Sequence, residues 1–346
     1  MRRLLVITQS NFDPSSRLRL MQYFPGFAKA GWRIDHRPLR PSPYRTFPVP
    51  AEETQAWKLR VSAMLRRASL FADSLRSRSC DAVIVGRELP HLSGFLTRCN
   101  PRLAFDFDDA IHLWPGQDAV ARLARKARVI VAGNQILAGA AAQWCSAVRT
   151  IPTVVDPEAY RMARCAGSVR RLRVGWLGSD YSIRQTLFPF VPMLAALQRE
   201  VGFEFVVVSG PGRFLPGSEL DYRFVPWSPA IESQIADMFD IGIMPLQDDP
   251  LQRAKCGTKL LQYMAAGLPV VASPVGVNGD IVKSGHNGYL AYSPEDWRSA
   301  LQQLAADKSL RSRLGEAGRA LVEQEYSLGR WLPAWLEVLE ETARTG

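Results

Sequence analysis

Two successive series of short apolar runs constrain what this chain can fold into. The first series is residues 3–8 (RLLVIT), 81–85 (DAVIV), 103–107 (LAFDF), 128–131 (RVIV) and 148–151 (VRTI). The second is 172–177 (LRVGWL), 204–208 (EFVVV), 222–225 (YRFV), 240–244 (DIGIM), 269–272 (PVVA) and 288–291 (GYLA). Runs that are apolar throughout, without polar alternation, suit parallel strands buried on both faces. Helical segments fall between them, near 16–30, 55–76, 88–98, 118–126 and 134–145 in the first series. Strands alternating with helices at this spacing imply a parallel sheet covered on both sides. The stretch from Pro152 to Ala166 breaks the rhythm, so the sequence predicts two doubly wound α/β domains joined there. At 346 residues and 47% apolar content, the chain can bury two such cores. Expected boundaries are 1–158, a linker at 159–171, 172–326, and a closing helix at 327–346. In that helix Trp331, Leu332, Trp335, Leu336 and Leu339 recur at helical spacing.

Within the second series, Lys255 to Gly276 (KCGTKLLQYMAAGLPVVASPVG) joins a helix start to a buried strand. Lys255 and Lys259 are four apart and would share one helix face. They stand where the macrodipole disfavours cations, with Gly257 and Thr258 offering accessible amides and a hydroxyl. Lysines, free amides and a positive dipole end together suit a phosphate or diphosphate. A solvated helix start with ordinary surface lysines is the alternative. Leu260, Leu261, Tyr263 and Met264 supply the packing face, Gly267 the left-handed cap, and Pro269 the stop. Phe239 to Leu246 (FDIGIMPL) reads as the preceding strand, so the anion candidate lies where open α/β sheets bind ligands.

These residues, followed by NGYLAYSPEDW, resemble the donor-binding region of family 4 (group 1) glycosyltransferases, chiefly from Trp176 to Tyr326. The resemblance implies the GT-B fold: two Rossmann-like parallel-sheet domains facing across a cleft, an N-terminal one for acceptor and a C-terminal one for nucleotide sugar. It implies a retaining transferase that needs no metal or other cofactor beyond its nucleotide-diphosphate sugar. The acceptor would be a cell-envelope or lipid-linked glycan, and the terminal helix would cross back to the first domain. Lys255, Gly257, Thr258 and Lys259 would hold the diphosphate, with Gly178 and Ser179 after the first strand of the second domain. Trp227 and Glu232 match the surroundings of the base. The family's paired glutamates are replaced by Ala254 and Gln262. Gln262 can still hydrogen-bond a ribose, Ala254 cannot hold a sugar hydroxyl, and Asp248 or Asp249 is the nearest substitute. A protein that binds donor without transferring it is the rival reading these replacements raise.

On the acceptor side, Asp106, Asp108 and Asp109 (DFDDAIH) follow directly on a strand. Carboxylates there need solvent, a cation or a ligand. Asp106-Phe107-Asp108 fits a metal-binding D-x-D, but three residues carry little specificity and no metal is expected. Asp109 is the expected catalytic residue and His112 the second, with a structural role the alternative for the histidine. In QSNFDPSSRLR, Ser15 or Ser16 can cap a helix while Arg17 and Arg19 reach an anionic ligand.

Charge separates the halves. Residues 1–160 hold 23 Lys+Arg against 13 Asp+Glu, a net +10, and residues 161–346 hold 20 of each. A basic half attracts anionic membrane surfaces, nucleic acid or phosphorylated substrates. No nucleic-acid-binding motif accompanies it, so nucleic acid is not expected. In residues 57–78, Trp57, Val61, Met64, Leu65, Ala68, Phe71 and Leu75 fall near one helix face, with Arg60, Arg66, Arg67, Arg76 and Arg78 around them. This suits either an anionic membrane surface or a helix covering the sheet. No apolar run approaches the roughly 20 residues of a spanning helix. The five scattered cysteines form no CxxC pair and suggest a reducing compartment. A cytoplasmic protein, peripheral at the inner membrane face, is the expectation.

Overall fold

A computed structural model describes residues 1–40, 56–87, 95, 98–114, 118–163, 171–210 and 219–344. The expected helix at 88–98 lies mostly outside them, as do residues 164–170 of the expected linker at 159–171. The chain divides into two compact units. The first comprises Met1–Thr153, Ala254–Cys256 and Leu328–Gly346; the second comprises Val154–Arg253 and Gly257–Ser327.

The first unit contains strands β1 (Arg2–Ser10), β2 (Trp32–Arg40), β3 (Ala82–Gly86), β4 (Leu103–Phe107), β5 (Val129–Ala132) and β6 (Val148–Thr150). They form one sheet in the order β2-β1-β3-β4-β5-β6, every pair parallel. The order reverses between β1 and β3. Strand β2 was not legible as an apolar run: WRIDHRPLR is an edge strand with polar residues throughout, registered on β1 from Arg2↔Trp32 to Ser10↔Arg40. The segment after β1 is a π-turn at Ser16–Leu20 and a 3-10 turn at Met21–Tyr23, leading into helix α1 (Phe24–Lys29). Helix α2 (Ala56–Ser77) precedes β3.

The terminal helix Leu328–Ala343 is part of this unit. Its fully buried Trp335 packs on Tyr23 and Phe27 at ring-centroid distances of 5.9 and 6.3 Å. Ion pairs Arg2–Glu340 (2.5 Å) and Arg149–Glu341 (2.9 Å) flank it. Apolar burial holds the helix, since exposed pairs contribute at most about 1 kcal/mol each.

The second unit contains β7 (Arg173–Leu177), β8 (Glu204–Ser209), β9 (Tyr222–Pro226), β10 (Ile241–Met244), β11 (Val270–Ala272) and β12 (Gly288–Leu290). Its all-parallel order is β12-β11-β10-β7-β8-β9, with the reversal between β7 and β10. Both units are thus doubly wound and Rossmann-like. Gly242 in β10 lets Tyr263 lie against the strand, where any Cβ would overlap the ring. The phenol oxygen of Tyr263 then accepts from the Leu177 amide at 2.8 Å. The helix Thr258–Ala265 ends as expected: Gly267 is left-handed at φ +68°, and the Leu268 amide donates to the Tyr263 carbonyl at 3.0 Å.

Candidate active site

In open α/β sheets a ligand belongs beyond the carboxyl ends of the strands, at the point where strand order reverses. In the second unit that point lies between Leu177 and Met244. Gly178 and Ser179 follow β7 directly. A Cβ on Gly178 would overlap the Trp176 ring and come within 2.9 Å of Lys259 Cε, so its bareness makes room for the lysine. Lys259 Nζ lies 5.2 Å from the Trp176 ring centroid. Ser179 Oγ caps the next turn, accepting from the Ser182 amide at 3.2 Å.

The helix that carries Lys259 begins at Thr258, with Gly257 as its left-handed N-cap at φ +68°. A Cβ there would overlap Ile281 Cδ1. Lys255 therefore stands before the helix, and the expectation that it shares a helix face with Lys259 is corrected. Glycine's left-handed turn separates them. Lys255 packs with the first unit, its Nζ 3.7 Å from Asp109 Oδ1. The first amides of a helix have no partner within it, so Thr258 and its neighbours present donors beside Lys259.

Gln262, Trp227 and Glu232 are brought together through a residue that sequence reasoning missed, Tyr160. Gln262 Nε2 donates to Tyr160 Oη (3.1 Å), Tyr160 Oη donates to Glu232 Oε1 (3.2 Å), and Trp227 Nε1 donates to Glu232 Oε2 (2.8 Å). Tyr160, Glu232 and Gln262 are all buried. Tyr160 falls in the stretch without periodicity, held on the second unit by Arg319, whose guanidinium donates to the Pro157 and Ala265 carbonyls at 2.7 and 2.5 Å. Asp248 is exposed and paired with Arg253 at 2.5 Å, and Asp249 Oδ1 accepts from the Gln252 amide at 2.9 Å; both carboxylates serve local structure. Ala254 is buried, its carbonyl accepting from Asn134 Nδ2 at 2.8 Å.

In the first unit the reversal lies between β1 and β3, and charged residues converge there. Arg19 is fully buried and grips Asp106 with two bonds, at 2.5 and 3.3 Å. Both are committed to the core, which corrects the expectation that Arg19 reaches an anionic ligand. It equally removes Asp106 from any D-x-D metal pair. Among the described residues, no group of three or more His, Cys, Asp and Glu side chains is placed to hold a metal. Arg17 Nε donates to the Phe12 carbonyl at 3.2 Å.

Asp108 is half-buried, and its Oδ1 is enclosed without a hydrogen-bond partner among the described residues. Burial pushes this carboxyl up to about 6, against the pull of Arg87 and Arg19. Asp109 lies between two cations, Lys255 (3.7 Å) and Arg87 (3.9 Å). His112 sits edge-on to Phe107 and Trp144, its Nδ1 enclosed and unpartnered among the described residues. Burial lowers its pKa, favouring the neutral ring.

Arg87, directly after β3, was also missed. It has φ +64°, the one positive value at a non-glycine among the described residues. Its Nη1 donates to Ser15 Oγ at 3.3 Å, and its guanidinium lies 5.5 Å from the Trp114 ring centroid. Its strained backbone was the identifying feature, and no sequence pattern encodes that.

Residues 171–307 match the family described as glycosyl transferases group 1. Among curated proteins, the chain is 31% identical over 83 residues to spore coat protein SA of Bacillus subtilis, covering 23% of this chain and 22% of that one. It is 29% identical over 127 residues to D-inositol 3-phosphate glycosyltransferase of Streptomyces bingchenggensis, covering 35% and 26%. It is also 29% identical over 119 residues to the lipopolysaccharide core biosynthesis glycosyltransferase LpsE of Rhizobium meliloti, covering 34% and 33%. The matched regions thus span between 22% and 33% of these relatives. Solved structures match over nearly the whole chain. Sucrose-phosphate synthase of Thermosynechococcus elongatus gives a TM-score of 0.71 at 15% identity, covering 98% of this chain and 99% of that one. Anabaena HepE, solved with UDP and glucose, gives 0.68 at 14% identity, covering 98% and 100%. The fold is GT-B, and the second unit is related in sequence to group 1 glycosyltransferases.

Proposed function

We propose that this protein is a retaining glycosyltransferase that moves a sugar from a nucleotide-diphosphate sugar to a hydroxyl of a cell-envelope or lipid-linked glycan. The carrying observation is the junction of Gly178, Lys259 and the Thr258 helix start at the reversal point of the second sheet. Departure of the nucleoside diphosphate builds negative charge on phosphate oxygen. A lysine and the amides of a helix start, fixed in advance, stabilise that charge more than they stabilise the bound donor. The bond from the anomeric carbon to phosphate oxygen breaks as the bond to the acceptor oxygen forms on the same face. The acceptor's proton passes to the departing phosphate. Gln262, held by Tyr160, meets the ribose. Asp108, Asp109 and His112 form the acceptor side. HepE's complex with UDP and glucose supports a nucleotide-sugar donor, and the similarity to a lipopolysaccharide core biosynthesis glycosyltransferase supports an envelope acceptor.

Ala254 supports the rival reading, a donor-binding protein without turnover, because nothing at that position can hold a sugar hydroxyl. Product formation across a panel of nucleotide sugars, with membrane extracts as acceptor, separates the two. Transfer to a glycan upholds the enzyme. Donor binding with neither transfer nor hydrolysis upholds the rival.

A further inference from the structure

Helix α2 shows the first unit's least expected surface. Among its described side chains the buried ones are Leu70, Asp73, Ser74 and Ser77, a mostly polar face turned inward. Asp73 accepts from Arg37 and Arg76 at 3.1 and 2.9 Å, and Ser77 Oγ accepts from the Asn100 amide at 2.9 Å. The apolar stripe points the other way: Met64 is 65% exposed, Phe71 44% and Leu75 46%, with Ala68 exposed between them. The spacing 64, 68, 71, 75 is one continuous helix face, and the eleven steps from 64 to 75 at 1.5 Å each make it about 16 Å long. Of the two readings of the stripe, these four positions do not fit a face that covers the sheet. Among the described side chains of this helix, polar ones with fixed partners fill that role beside Leu70, while Met64, Ala68, Phe71 and Leu75 are left outside.

Cations border the stripe. Arg98 Cζ lies 5.2 Å from the Phe71 ring centroid, and Arg78 Nε donates to the Arg98 carbonyl at 2.9 Å. The neighbouring acids Asp35 and Asp73 are both in ion pairs with Arg76. Arg60, Arg66 and Arg67 belong to the same helix, and the whole net charge of +10 lies within residues 1–160. Among the described residues no helix is long and apolar enough to cross a membrane. An exposed apolar stripe with basic flanks is the pattern of a helix lying in the headgroup boundary of an anionic bilayer.

We propose that α2 is a membrane-docking element, with Met64, Ala68, Phe71 and Leu75 entering the acyl boundary of an anionic lipid surface and the exposed Arg78 and Arg98 meeting its headgroups. The charge asymmetry argues for lipid over an apolar protein partner. The docking stands apart from the sugar-transfer reading, since it needs neither donor nor acceptor.

The test is co-sedimentation of the full chain with phosphatidylcholine vesicles, with and without phosphatidylglycerol. The native chain should bind the anionic vesicles at least tenfold more tightly than the neutral ones. The double variant Phe71→Asp, Leu75→Asp should lose at least tenfold of that binding. Its melting temperature should fall by only a few degrees, because neither side chain belongs to the buried core. Tyr292→Asp, which removes a still more exposed aromatic from the second unit, should bind like the native chain. Equal binding by the double variant would overturn the proposal, as would absence of binding by the native chain. So would a native dimer that the double variant dissociates, because the stripe would then be covered by a second copy.

Discussion

The Asp108 carboxyl ties stability to pH in a way that can be worked out in advance. Burial raises it to about 6 in the folded protein, against an ordinary value of 3.8. The folded state therefore binds more protons than the unfolded state between these values, and stability falls as pH rises through that window. At roughly 1.4 kcal/mol per pKa unit, ionised Asp108 costs the fold about 3 kcal/mol once pH exceeds 6. A buried acceptor with no donor is consistent with that cost. Asp108→Asn removes the titration and keeps the shape. Urea unfolding of both proteins at pH 4, 5, 6 and 7.5 is the assay. The variant's advantage should be near zero at pH 4 and grow to about 2–3 kcal/mol at pH 7.5. Its transfer activity should fall, as expected where stability has been given up for a functional group. A constant difference across pH would refute the reasoning, as would a variant that loses stability as pH rises.

Three further outcomes follow from the same geometry. Arg87→Gly should relieve about 1–2 kcal/mol of left-handed backbone strain, offsetting its lost contacts. Its melting temperature should hold or rise while kcat/KM drops at least tenfold; parallel losses of both would make Arg87 merely structural. Tyr160→Phe leaves Glu232 Oε1 and Gln262 Nε2 each short of a bond, and calorimetry should show about 1–3 kcal/mol of destabilisation with weaker nucleotide binding. Gly178→Ala displaces Lys259 and should weaken nucleoside-diphosphate binding without moving the pH dependence assigned to Asp108. Titration of the variant at pH 5 and 7.5 checks both halves.

Eleven of the twelve strands among the described residues were legible because strands buried on both faces must be apolar throughout. The edge strand β2 escaped notice because only one neighbour and one register hold it, which leaves polar residues tolerable. The helix start at Thr258 was legible for a related reason: left-handed caps and close approaches demand glycine, and Gly257, Gly267 and Gly178 occupy those positions. Side-chain partnerships across the fold were not legible. Arg19 and Asp106 are 87 positions apart, and only the sheet brings them together. Tyr160 reaches Gln262 and Glu232 from an irregular segment that carries no period. In α2 the periodicity was read correctly, but periodicity alone does not say which face meets the sheet.

Nucleoside-diphosphate binding to the native chain and to Lys259→Ala tests the central claim most directly. At 100 times its dissociation constant, a bound nucleoside diphosphate should stabilise the native protein by roughly 2.7 kcal/mol. Lys259→Ala should need at least tenfold more ligand for the same shift, while His112→Ala should respond like the native chain. No stabilisation by any nucleoside diphosphate, or an unchanged response in Lys259→Ala, would contradict the placement of the diphosphate at this helix start.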